Sequence, residues 1–191
     1  MSPGIQTEDV GGVAQAPHAG DSGAEWPQHS RTRDGAEYRI RPIQSDDLER
    51  ERAFIHNRSD SSRYIRMMVL LREPSEEMLD RLVHVEYRRD MALVAIVGEG
   101  ADEEIIAVAR YGGNAAYCEF AIAVAEAWQS RGVGTTLSKR LFEYARLHRV
   151  RRLCALFPPA NVAMLRLTDT LGMTIRKSLE DVSEVEAWRI L

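Results

Sequence analysis

The sequence predicts a mixed α/β domain of the α+β kind, with one central sheet of about six to seven strands flanked by helices. Three observations lead there. Apolar runs at 91–99, 104–112 and 116–124 follow one another across short Gly/Asp/Glu turns, which is the pattern of an antiparallel meander. An amphipathic stretch at about 132–148 then leads into the strand-like run 151–157. A second helical stretch, 161–172, has Asn161 as N-cap and Gly172 as C-cap, and two further strand-like runs, 173–179 and 185–191, follow it.

Upstream of the meander, "EYRIRPI" (37–43) alternates Tyr38 and Ile40 with charged residues, as a half-buried strand does. "QSDDLERERAFIHN" is then expected to be a helix N-capped by Ser45, with acids in its first turn. A second short helix is expected over 61–71 and a third over 75–85, the latter capped by Ser75 with Pro74 marking the break. Residues 1–36 differ from all of this. They hold six of the thirteen glycines and three of the seven prolines and lack periodic apolar pattern. Such a segment buries too little surface to offset its ordering entropy, so a flexible, solvated tail is expected there, with one domain over 37–191.

Length and composition set limits on function. With 191 residues there is room for one domain with a substantial core. A formal net charge of -4 gives no basic surface of the sort nucleic-acid binding requires, and no apolar run reaches the length of a membrane span. The N-terminus has no basic residue before Arg31 and no hydrophobic block, unlike a secretory signal or an Arg-rich transit peptide. Cys118 and Cys154 lie in apolar runs without CxxC or Cys/His spacing, so neither a metal site nor a disulfide framework is expected. Two reduced, buried cysteines suit a cytoplasmic protein. His56, His84 and His148 also lack ligand spacing. Lys139 and Lys177 are the only lysines, a bias that GC-rich coding explains more simply than self-protection of a lysine-modifying enzyme.

The strand 116–124 passes through a short loop, Gln129-Ser130-Arg131-Gly132-Val133-Gly134-Thr135, into the helix at 132–148. A loop of this type is an anion site, because the first N–H groups of a helix lack intrahelical partners and the dipole end is positive. Gly132 and Gly134 allow close approach of a phosphate, and Arg131 adds charge at the same place. The loop lacks the Gly-Lys-Ser/Thr ending of a P-loop and the GxGxxG of a dinucleotide fold. Taken alone, glycines at a tight strand-to-helix turn are equally compatible with simple geometry.

The combination is more specific. Gln-x-x-Gly-x-Gly after a strand resembles the acetyl-CoA pyrophosphate loop of the GCN5-related N-acetyltransferase (GNAT) family. "ANVAMLRLTDTLGM" is similar to the Asn-bearing helix of that family, with Met173 in place of the usual aromatic residue. The resemblance covers about residues 38–191. "SSRYIRMM", "CEFAIAV", "WQSRGVGTTL" and "RRLCALFPPANVAML" look most like the catalytic domain of bacterial protein-lysine acetyltransferases, of the short kind without a nucleotide-binding synthetase-like region. It implies acetyl-CoA as co-substrate without a metal. Its binding residues would be Ile122, Ala123, Val124, Gln129, Ser130, Arg131, Gly132, Val133, Gly134, Thr135 and Asn161. The acceptor would be a protein lysine, for example on an acyl-CoA synthetase, and the protein a monomer or homodimer.

Strand alternation places Cys118 and Phe120 on one side of the strand and Glu119, Ala121 and Ala123 on the other. A carboxylate here is either a solvated or ion-paired side chain or a functional one. The resemblance implies that Glu119 is the general base, which accepts the proton of an acceptor amine so that direct transfer follows. Cys118 beside it is expected to face the core. Thr168 stands where many small-molecule relatives carry an acid tyrosine, which argues against a Tyr-dependent acid step. Arg63, Tyr64 and Arg66 are either an acceptor surface or a solvated helix face, and Asn161 is explained by capping as well as by a ligand. The rivals are an acetyltransferase of small amines, such as a polyamine or an aminoglycoside, and a module that senses acetyl-CoA without transfer.

Overall fold

A computed structural model describes residues 25–57, 75–87, 90–114, 117–177 and 183–191. The expected helix over 61–71, with Arg63, Tyr64 and Arg66, lies outside these residues, as does the part of the expected tail before Glu25. The described chain forms a single sheet in the order β1-β2-β3-β4-β5-β6-β8-β7. Its strands are β1 Gln28–Arg31, β2 Glu37–Pro42, β3 Met91–Val97, β4 Glu104–Asn114, β5 Tyr117–Val124, β6 Arg152–Phe157, β7 Thr174–Lys177 and β8 Val185–Ile190. Four helices accompany them: α1 Leu48–His56, α2 Glu76–Val83, α3 Val133–Leu147 and α4 Val162–Thr170. Every strand pair is antiparallel except β5–β6.

The sheet thus has eight strands, where six to seven were expected. The additional strand is β1, which lies within the segment 1–36 and pairs with β2 from Gln28↔Ile40 to Arg31↔Glu37. Gln-His-Ser-Arg has no apolar alternation to betray it, and backbone pairing to an already half-buried β2 supplies the order that its side chains do not. Within the connecting turn, Thr32 Oγ1 accepts from the Ala36 N–H at 2.9 Å, and Gly35 takes the left-handed φ of 90° that the reversal needs.

The two faces of the sheet are covered differently. On one, α3 packs across β3, β4 and β5 and buries Val133, Leu137, Leu141, Phe142 and Ala145. Phe142 meets Phe120 edge to face, with centroids 5.1 Å apart. On the other, α1 and α2 sit over β4, with Phe54 and Val83 in a cluster that includes Val94, Val108 and Ala123. The alternation expected for β5 holds, since Cys118 and Phe120 join the α3-side core and Ala123 the opposite one. Cys118 is 1% exposed and faces the core.

Three caps are as expected. Ser75 accepts from the Met78 N–H at 3.3 Å, and Asn161 Oδ1 accepts from the Met164 N–H at 3.0 Å. Gly172, at φ 64°, ends α4 in a Schellman motif: its N–H donates to Asp169 O, and the Met173 N–H to Thr168 O, both at 2.9 Å. The start of α1 differs. Ser45 begins a 3-10 turn rather than capping, and Asp47 accepts from the Gln44 N–H at 2.8 Å in a capping box. Among the described residues no helix is long and apolar enough to cross a membrane.

Candidate functional site

The parallel pair β5–β6 is registered only at Cys118↔Leu153 and Glu119↔Cys154. Beyond Glu119 the two strands part, and β5 from Phe120 to Val124 keeps β4 as its sheet partner on the other edge. A cleft of about 580 Å³ lies along the part of β5 beyond this point. Ile122, Ala123 and Val124 line it on one side, Trp128, Gln129, Ser130, Gly132, Gly134 and Thr135 at one end, and Asn161, Ala163, Met164, Arg166, Leu167 and Thr170 opposite. Ala123 faces it although its methyl packs into the α1–α2 side of the core, so its contribution is backbone.

The loop before α3 is shaped by its backbone. Ser130 and Gly132 both take left-handed conformations, at φ 58° and 95°. For Ser130 this is an uncommon state that the surrounding contacts must hold. Gln129 donates from Nε2 to Val124 O at 3.1 Å and so ties the loop to the end of β5. Gly132 is the residue at which α3 begins, with the Thr136 N–H returning to its carbonyl at 3.0 Å. A Cβ on Gly134 would lie 3.3 Å from Val124 Cγ2, a tight approach, and 3.6 Å from Ile122 Cδ1, an ordinary contact. With no side chain at 134, the first turn of α3 sits close against Val124 and Ile122 of β5.

Of the cofactor residues expected from the sequence, the cleft brings together nine: Ile122, Ala123, Val124, Gln129, Ser130, Gly132, Gly134, Thr135 and Asn161. Two lie elsewhere. Val133 is buried in the core beneath α3. Arg131 turns away to form a two-point bridge with Asp34, Nε to Oδ1 at 3.0 Å and Nη2 to Oδ2 at 2.7 Å, and stacks 4.5 Å over the Trp128 ring. Hydrogen bonding from Arg131 holds the Asp34 carboxyl down at about 2, well below its ordinary value. Glu119 is half-buried at the point where β5 and β6 divide and is not part of the cleft lining, which begins on β5 at Ile122. Thr168 is fully buried, and its hydroxyl donates to Leu165 O at 2.9 Å.

The sequence reading missed Trp128, Arg33 and the α4 face of Ala163, Met164, Arg166, Leu167 and Thr170. For α4 a signal existed: positions 163, 166, 167 and 170 follow from Asn161 at helical spacing. Trp128 precedes the glycine loop directly, as an isolated aromatic in a polar stretch. Arg33 had no local signal. The cleft's described lining holds two arginines and no carboxylate, a charge pattern suited to a polyanionic ligand.

The described family "Acetyltransferase (GNAT) domain" matches residues 38–174. The chain belongs to the GNAT acetyltransferases. As a GNAT member it is an N-acetyltransferase, of a family whose co-substrate is acetyl-CoA. The GNAT domain of S. lividans PAT superposes with a TM-score of 0.79 at 32% identity, covering 87% of this chain and 97% of that one. Acetyltransferase PA5475 of Pseudomonas aeruginosa is 32% identical over 154 residues, 80% of this chain and 83% of the relative. Acetyltransferase Pat of Mycolicibacterium smegmatis is 32% identical over 145 residues, 74% of this chain but only 43% of that protein, so the chain spans less than half of it. The resemblance of the GNAT chain to bacterial acetyltransferases is therefore found in both sequence and structure.

Proposed function

We propose that this GNAT enzyme transfers an acetyl group from acetyl-CoA to lysine side chains of proteins, with Glu119 as the general base. The observation that carries the reading is a cleft lined by two arginines along β5 beyond the point where it leaves β6, with Glu119 three residues before the lining begins at Ile122. Similarity to the S. lividans PAT domain along nearly its whole length supports a protein lysine over a small amine as acceptor.

Acetyl-CoA, when bound, supplies the electrophilic thioester carbonyl. The cleft fits such a ligand: Gly132, Gly134 and Thr135 at the start of α3 line it, and Ile122 and Val124 present their N–H groups on the β5 edge away from β4. Those donors polarise the carbonyl. Glu119 performs the proton step. A lysine amine has an ordinary pKa of about 10.4 and is almost entirely protonated at neutral pH. Glu119, directly or through one water, accepts that proton, and the freed amine nitrogen attacks the carbonyl carbon as the C–S bond breaks. The Thr168 hydroxyl is committed to Leu165 O and supplies no proton; the second proton of the attacking nitrogen, lost as the amide forms, passes through solvent to the departing thiolate. Cys118 is buried on the core side, which favours direct transfer over an acyl-enzyme.

The test uses Glu119→Gln. The variant is expected to bind acetyl-CoA like the parent and to lose about 10²-fold or more in transfer. Both proteins are incubated with acetyl-CoA and a lysate, and new acetyl-lysines are mapped by mass spectrometry, with acyl-CoA synthetases as the first acceptors tried. Unchanged turnover removes Glu119 from the mechanism. Acetylation confined to a polyamine or aminoglycoside panel replaces the protein acceptor, and binding without any product makes the chain a sensor.

A further inference from the structure

The β1–β2 turn is bolted to the glycine loop. The Arg33 N–H donates to Arg131 O at 3.0 Å, and the neighbouring Asp34 holds the Arg131 guanidinium at two points. Arg33 itself runs the other way. Its Cγ and Nε lie 3.6 and 3.8 Å from where a Cβ on Gly132 would be, so the side chain crosses the residue that opens α3, and it lines the cleft. Among the described residues no hydrogen bond or ion pair is formed by the Arg33 guanidinium, which is exposed. The two arginines have thus exchanged the parts that their positions in the sequence suggest. Arg131, inside the loop, is neutralised by Asp34 outside the cleft, and Arg33, from a hairpin nearly a hundred residues earlier in the chain, brings an uncompensated positive charge over the same helix end.

We infer that Arg33 is a phosphate-binding residue of this site, pairing with the diphosphate of the CoA ligand, and that the Asp34–Arg131 bridge is the clamp that positions it. The inference rests on the acetyl-CoA reading of the cleft. The chemistry is that of a guanidinium next to free backbone N–H groups: a phosphate oxygen accepts from both, and charge-assisted bonds of this type are the strong ones. Arg131 cannot serve in its place while its fork is filled by Asp34. Cutting the bridge therefore has two opposed outcomes. If Asp34 positions Arg33, its loss weakens phosphate binding; if Asp34 only restrains Arg131, its loss frees a second cation and strengthens binding.

Isothermal titration with CoA and with S-acetylpantetheine, which lacks the phosphates, separates these cases. For the parent protein CoA binds measurably. Arg33→Gln is expected to raise the CoA dissociation constant about tenfold or more, to flatten its dependence on salt, and to leave S-acetylpantetheine binding unchanged. Arg33→Lys recovers part of the loss. Asp34→Asn is expected to weaken CoA binding in the same direction, with little further loss when combined with Arg33→Gln. Equal CoA affinity in Arg33→Gln and the parent overturns the inference while the acetyl-CoA reading stands. Tighter CoA binding in Asp34→Asn overturns the clamp. If the parent binds neither ligand, the acetyl-CoA reading itself fails. Arg33 is exposed on the hairpin, so its substitution leaves the core intact, and unchanged thermal unfolding checks this.

Discussion

Gly134 shows how one missing side chain sets a site. It lies in the first turn of α3, where alanine is ordinarily the better helix former by up to about 1 kcal/mol. A methyl group there would crowd Val124 Cγ2 on the cleft wall by a few tenths of an ångström and touch Ile122 Cδ1 at ordinary contact distance. Gly134→Ala is therefore expected to change folding stability by less than about 1 kcal/mol, the helix gain offsetting the crowding. Its CoA affinity is expected to fall by about tenfold, because the wall moves into the cleft. Thermal melts beside calorimetric titrations distinguish the two effects. Gly132 is a different case: its φ of 95° suits glycine, so alanine there costs stability as well as binding.

At the scale of elements, α1 is held to the sheet by charges as much as by Phe54. Asp47, 0% exposed at its start, accepts from Arg41 Nη1 and Nη2 at 2.6 and 2.8 Å and from the Gln44 N–H. Burial pushes the Asp47 carboxyl up, but these bonds outweigh it and hold the group below its ordinary 3.8. A depressed native value means the stabilisation is full above 3.8 and is lost as pH falls below it. Asp47→Asn should accordingly lower stability at about pH 7 by roughly 1–3 kcal/mol, and should narrow the gap in urea midpoint between about pH 7 and about pH 3. One turn on, Glu51 meets Arg110 of β4 at 3.0 Å, with Arg110 also donating to Leu82 O at 3.2 Å. Burial lowers the pKa of Arg110, and Glu51 opposes that shift. Glu51→Ala leaves a buried cation and is expected to cost about 3–5 kcal/mol, whereas Glu51→Leu with Arg110→Met recovers most of it, as denaturant titration would show.

At the scale of the molecule, the same sheet that makes the core also makes the cleft, by failing to pair β5 with β6 past Glu119. The N-terminal hairpin belongs to that arrangement. A chain begun at Glu37 loses β1, the core packing of Trp26, and Arg33 with Asp34. It is expected to melt about 2–8 °C lower, from about 1–2 kcal/mol of lost burial, and to bind CoA no better than Arg33→Gln. A truncated protein with parental CoA affinity would argue that the hairpin is dispensable to the site.

What the sequence determined by itself was what local chemistry encodes. Period-two and helical apolar patterns, with Ser75, Asn161 and Gly172 as caps, marked the meander, α2, α3 and α4 to within a few residues. The glycines of 132–134 and the alternation around Glu119 marked the loop and the strand faces, because close approach and side-chain direction are properties of consecutive residues. Tertiary structure decided the rest. β1 has no apolar pattern and exists through pairing with β2. The insertion of β8 between β6 and β7 follows from packing across the whole sheet. The direction of Arg131, and the arrival of Arg33 in its place, depend on an aspartate nearly a hundred residues away, since a guanidinium goes to the partner that folding brings within reach.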